Sequence, residues 1–203
     1  KDKLMRNIGI NNFMVKQGGE ITGTYTEIIG YEFPIYTSKH TGRSYIWYYQ
    51  NYGPWINNTN SNGTTITKAG CAMTSSATIA SGYGDMRVPQ WGLGTARFKK
   101  ATSISKGCSG NTANGKNLSS SQIKEIQDWL FSGHEVLIHV DSGSKYTNNQ
   151  HWMPLVDISE DGQYVYNMNT RTDYSDDKIG WCSIESLSID VDCYHLINGL
   201  SGN

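Results

Sequence analysis

Between residues 11 and 45 the chain alternates Tyr, Thr and Ile with polar positions and glycine breaks ("NNFMVKQGGEITGTYTEIIGYEFPIYTSKHTGRSY"). A period of two interrupted by glycine predicts short strands and hairpins. The character changes in "IWYYQNYGPWINNTNSNGTTITKAG" (46–70), where an aromatic strand over 45–49 meets a long loop rich in Asn, Gly and Thr. "CAMTSSATIAS" (71–81) predicts a helix of small residues stopped at Gly82. In "SSSQIKEIQDWLFSG" (119–133), Ile123, Ile126 and Leu130 share a helical face. Ser119, Ser120 or Ser121 caps that helix and Gly133 ends it.

Strand-like runs follow: "HEVLIHVD" (134–141), "HWMPLVDIS" (151–159), "QYVYNMN" (163–169), and a terminal pair near "GWCSIESL" and "CYHLING". The runs at 151–159 and 163–169 are separated by "EDG", and Asp161-Gly162 carries hairpin chemistry. Helices first and sheet afterwards make an α+β plan. There is no internal repeat and no low-complexity tract. The block 1–45 forms an N-terminal β-rich extension or linker, and 46–203 forms the main domain.

Length and composition narrow the function classes. With 203 residues the chain can bury a full core. Charged residues make up only 17% and the net charge is −1, which gives no footprint for nucleic acid or an anionic membrane. No apolar run is long enough to span a bilayer. The start, "KDKLMRNIGI", has no apolar core behind its basic residues and begins with Lys. The expectation is a processed protein or excised domain, any targeting segment lying outside it. Cysteines at 71, 108, 182 and 193 show no CxxC spacing, so metal and dithiol-redox sites are disfavoured. Cys182 and Cys193 flank a strand-like stretch and could be bridged across a hairpin.

The candidate chemistry centres on Cys71, which follows Ala69-Gly70 and opens the small-residue helix. A helix N-terminus stabilises a thiolate, and a neighbouring histidine can take the thiol proton. Of the histidines at 40, 134, 139, 151 and 195, His151 opens a strand after a polar loop, a position from which a side chain reaches a cleft. His139 lies within an apolar strand as a packed residue, His134 follows a helix end, and His40 and His195 are expected at the surface. A third group should orient the imidazole. Asn167 and Asn169 share one face of the next strand, so periodicity does not choose between them. The Gln50 amide, with the backbone N–H of the nucleophile, can form an oxyanion hole. Among the aromatics, Trp55, Trp91 and especially Trp152, beside the base, are candidates to line the cleft.

The order Gln50, Cys71, His151 and Asn resembles the papain-like cysteine peptidases, most closely the C39-like branch of bacterial and phage proteins. The resemblance rests on "YYQ" (48–50), "AGCAMTSSA" (69–77), "LFSGHEVLIHV" (130–140), "NQHWMPLVDISEDG" (149–162) and "YVYNMNT" (164–170), and covers roughly 45–170. It implies a papain-like fold, a nucleophile helix on an antiparallel sheet, with 46–203 as the peptidase domain. It also implies catalytic roles for Cys71, His151, Asn169 and Gln50, substrate contact by Trp152, and no metal or cofactor. Three departures stand out. Ala72-Met73 replaces the usual Gly-Pro, Gln150 stands where Gly usually precedes the histidine, and "NMNT" replaces Asn-Asp-Pro, so that Asn169 is the third member by register. Members of this branch are often cell-wall hydrolases. The resemblance therefore implies a peptide or peptidoglycan substrate and an extracellular, wall- or virion-associated enzyme. A leader-peptide-processing protease and an inactive papain-like binding module are the alternatives.

Overall fold

The computed structural model describes residues 21–100, 117–175 and 178–201. These residues combine helices with antiparallel sheets, in keeping with the α+β plan. Strands β1 (Ile21–Ile28), β2 (Tyr31–Thr37) and β3 (Ser44–Ile46) form a three-stranded sheet in that order. The aromatic strand expected over 45–49 stops at Ile46. Trp47, Tyr48 and Tyr49 leave the ladder because all three rings are drawn into the core.

Two consecutive helices follow, α1 (Ile66–Ala69) and α2 (Cys71–Ser81), then a 3-10 turn and the short β4 (Phe98–Lys100). Helix α3 spans Ser120–Phe131. Its cap is Ser119, whose Oγ accepts from the Gln122 N–H while Gln122 Oε1 accepts from the Ser119 N–H, a reciprocal capping box. Strands β5 (Glu135–Val140), β6 (His151–Ile158), β7 (Tyr164–Asn167) and β8 (Gly180–Ser183), helix α4 (Ile184–Ser188) and β9 (Val191–Leu200) complete the described chain. The second sheet has the order β4-β9-β5-β6-β7-β8. The predicted β6–β7 hairpin forms, with Gly162 at φ 74°, a backbone conformation in which a Cβ would be strained.

Both terminal runs carry strands, β8 and β9, but the two do not pair with each other. "IESL" folds as α4, and β8 and β9 lie on opposite sides of the sheet with β5, β6 and β7 between them. Four strand spacings, about 19 Å, separate them. A bridge between Cys182 and Cys193 is therefore ruled out by geometry: Cys193 is in a disulfide, while Cys71 and Cys182 keep their thiols. Cys108 lies outside the described residues.

The alternation of β5 explains the layering. Val136, Ile138 and Val140 join Ile126 and Leu130 of α3, whereas Leu137 joins Ala77 and Ile79 of α2. Covered on both faces, every residue of β5 is buried, so its sequence is nearly continuously apolar. The described part of the N-terminal block belongs to the same core. Phe33, Tyr36 and Tyr45 are buried with Trp47, Trp55 and Tyr166, and the Tyr36 and Tyr166 rings stack at 3.7 Å. No helix among the described residues is long and apolar enough to cross a membrane.

Candidate active site

The placement of Cys71 begins with Gly70. Its N–H donates to the Ile66 carbonyl at 2.7 Å, closing α1, and α2 starts at the next residue. A Cβ at position 70 would lie 2.6 Å from Ile66 Cγ2 and 2.7 Å from the Ile66 carbonyl oxygen. Only glycine lets the chain turn this tightly before the cysteine. No side chain caps α2, so its first amides are left for other acceptors. One turn beyond Cys71, Ser75 Oγ donates to the Trp152 carbonyl at 3.2 Å, tying the start of α2 to the start of β6.

His151 opens β6 and is 4% exposed. Its Nε2 meets Asn169 Oδ1 at 2.7 Å. Asn169 is fully buried and held on every side. Its Oδ1 also accepts from the Thr170 N–H at 2.8 Å, its Nδ2 donates to the Lys178 carbonyl at 3.1 Å, and its carbonyl accepts from Trp47 Nε1 at 2.7 Å. These bonds assign the amide oxygen to the imidazole, so neutral His151 carries its proton on Nε2 and its lone pair on Nδ1. Asn167, left open by periodicity, points elsewhere and donates to Met153 Sδ at 3.3 Å.

Burial dominates the electrostatics of both groups. It pushes His151 down to about 4, against the Asn169 hydrogen bond, which favours the charged ring; Arg171 and His139 lower it further and Asp173 opposes them. Burial likewise raises the Cys71 thiol, and the backbone N–H groups of Trp152, Ala72 and Cys71 only partly offset it. The expectation that the helix N-terminus lowers this thiol is overturned by desolvation. Both shifts favour the neutral forms, thiol on Cys71 and imidazole on His151. The sulfur and the ring share no hydrogen bond in this state; such contacts often tighten only when substrate binds.

Gln50 is 3% exposed and clamped at both ends of its amide. Nε2 donates to the Thr67 carbonyl of α1 at 2.9 Å, Oε1 accepts from Thr170 Oγ1 at 2.5 Å, and the Gln50 N–H donates to the Thr170 carbonyl at 2.7 Å. Gln50 thus bridges the segment leading to Cys71 and the segment carrying Asn169. Arg171, whose Nη1 also donates to the Thr67 carbonyl at 3.0 Å, and Tyr174, whose ring lies 5.5 Å from that of His151, belong to the same neighbourhood. Sequence reasoning passed over Thr170, Arg171 and Tyr174. Their only signal is position, within five residues after Asn169.

Trp152 is half-buried, its ring held between His139 at 4.7 Å and a stacked His195 at 5.4 Å. His195 is therefore a buried residue of β9, not the surface residue expected, because β9 lies inside the sheet. His40 is exposed, with Nε2 bonded to the Phe131 carbonyl at 2.7 Å. His139 is packed as expected, but both its nitrogens are engaged, Nδ1 with Asp192 at 2.6 Å and Nε2 with Gln150 at 3.2 Å. Trp55 is core, donating Nε1 to the Tyr49 carbonyl, and Trp91 donates to the Asn58 carbonyl. His139, Asp192 and Cys193 have ligand-type atoms within 4.8 Å of one another, but the Cys193 sulfur is in a disulfide and offers no thiolate to a metal. No protein family, curated protein or solved structure matches this chain.

Proposed function

We propose that this chain is a cysteine hydrolase of papain-like type that cleaves peptide or amide bonds. The observation that carries the reading is the 2.7 Å bond to a fully buried Asn169 from His151, which opens the strand that Ser75 of the Cys71 helix joins at the Trp152 carbonyl. His151 Nδ1 takes the thiol proton as Cys71 Sγ attacks the substrate carbonyl carbon. The Cys71 backbone N–H and the second N–H on Gln50 Nε2, the first being held by Thr67, receive the oxyanion. The tetrahedral intermediate collapses as the imidazolium gives its proton to the leaving amine, and a thioester remains on Cys71. Water, deprotonated by His151, then releases the acid and restores the thiol. Asn169 holds the imidazole in the Nε2–H tautomer throughout. These steps call for no metal or organic cofactor. Trp152, beside the base and half-buried, is the candidate substrate contact.

The substrate proposed is bacterial cell-wall peptidoglycan, cut as endopeptidase or amidase by an extracellular, wall- or virion-associated protein. Support comes from the C39-like motif order and the low charge of the chain. The test is digestion of purified Gram-positive cell walls by wild type and Cys71→Ala, with released fragments identified by mass spectrometry. Fragments from wild type alone are expected, their new ends naming the bond. If neither protein releases fragments, the wall substrate is wrong. Cleavage of Gly-Gly leader peptides by wild type would then indicate a leader peptidase, and inertness toward both an inactive binding module.

A further inference from the structure

A second site lies towards the other end of β6. Asp157 stands six residues beyond His151 on that strand, about 20 Å away along the chain. Here a cavity of about 460 Å³ is lined by Tyr36, Phe131, Asp157 and Trp181, with Lys39 and Glu160 among the remaining residues. That volume is typical of a small-molecule pocket.

Asp157 is only 4% exposed, yet no Lys, Arg or His among the described residues pairs with it. Its partners are neutral donors: the Tyr36 hydroxyl gives a proton to Oδ2 at 2.7 Å and the Ile158 N–H to Oδ1 at 2.9 Å. A carboxylate withdrawn from water without a counter-charge is costly, and each of its oxygens can accept a further donor. The aromatic walls suit a cation. The Tyr36 ring stacks on Tyr166, Trp181 meets Tyr166 edge-on at 5.2 Å and stays half-buried, and Phe131 is 41% exposed. Lys39, His40 and Glu160, all exposed, complete the charged and titratable lining, and Asp157 is its buried carboxylate.

We propose that this cavity binds a primary organic ammonium group on a short aliphatic chain, with Asp157 as the counter-charge and Trp181 and Phe131 as the aromatic walls. The ammonium donates to the remaining lone pairs of Asp157, a bond a quaternary ammonium cannot make, and its charge is attracted to the ring faces. The chain follows the apolar surface of Phe131 and Ile158. The site is independent of whether Cys71 hydrolyses anything.

Isothermal titration calorimetry of the whole chain with pentylammonium chloride, 1-pentanol and tetramethylammonium chloride at fixed ionic strength tests it. Saturable binding of pentylammonium is expected. Pentanol and tetramethylammonium should bind about tenfold or more weakly, because a charge-assisted hydrogen bond contributes that order of affinity. Asp157→Asn should lose pentylammonium binding by the same factor, and Cys71→Ala should bind as wild type. Equal binding of pentanol, stronger binding of tetramethylammonium, or an Asp157→Asn protein of unchanged melting temperature that still binds pentylammonium would overturn the proposal. Should Asp157→Asn fail to fold, the wild-type comparison of ammonium with alcohol decides alone.

Discussion

Replacing Asn169 by Asp tests the wiring of the proposed site with one atom changed. The Asn169 Oδ1 bonds to His151 and to the Thr170 N–H survive the exchange, while the Nδ2 donor to the Lys178 carbonyl becomes an oxygen. A full negative charge then sits in hydrogen-bond contact with a ring that is 4% exposed. Unit charges about 4 Å apart interact by about 4 kcal/mol at an effective dielectric constant near 20, which is about 3 pK units. Since the new carboxylate is itself buried, part of that is offset by its own desolvation. His151 should therefore rise from about 4 by roughly 2 to 3 units, into the neutral range.

The sign also fixes the stability profile. The depressed pKa of His151 means that the unfolded chain binds its proton first, so the contribution of the neutral ring is lost as pH falls from about 6.5 towards 4. Asn169→Asp should shrink that acid-sensitive window, while the carbonyl of Lys178, left facing an oxygen, costs about 1–3 kcal/mol at neutral pH. The assay is NMR titration of the His151 ring proton in both proteins, with thermal melts across the same pH range. A midpoint that stays within about half a unit of wild type would refute the reading that Asn169 Oδ1 sits on this imidazole in a low-dielectric site.

Two further results are expected. With its thiol raised by burial and its histidine neutral, Cys71 should alkylate with iodoacetamide at a rate that keeps climbing above pH 8.5; a plateau already reached at pH 6 would mean that a thiolate–imidazolium pair exists at rest. Gly70→Ala should place a methyl carbon 2.7 Å from the immobile Ile66 carbonyl and cost about 1–3 kcal/mol, a fall of about 3–10 °C in melting temperature; an unchanged melt would show that α1 and α2 have slack where they meet.

Legibility in the sequence followed locality. The bounds of α2, the cap of α3 to within three adjacent serines, and the β6–β7 hairpin were readable because each depends on residues within a few positions: the small-residue run from Cys71, Ser119 to Ser121, and Asp161-Gly162. The capping box with Gln122 that singles out Ser119 came from the structure. The early departure of the aromatic segment at Trp47 was not readable, since strand propensity favours those rings and only their burial against β7 and its surroundings explains it. The pairing of Cys182 with Cys193 failed for the same reason: nearness in sequence says little about which strands become neighbours. His195 looked terminal and proved buried because the last strand inserts beside β5 instead of at an edge.

By itself, then, the sequence determined the residue types on offer: a cysteine after Ala-Gly at a helix start, a histidine opening a strand, two asparagines on one face of the next, and a glutamine before a long loop. Only the tertiary structure decided which of them meet and in what ionic state. It chose Asn169 over Asn167, because the chain after β7 turns back beneath Trp47 and the His151 ring. It raised the thiol of half-buried Cys71 and lowered the imidazole of buried His151, since their desolvation outweighs the attraction of a helix terminus. And it set Asp157 without a counter-ion among aromatic rings drawn from β2, α3 and β8, a juxtaposition of residues up to 145 positions apart that no local pattern encodes.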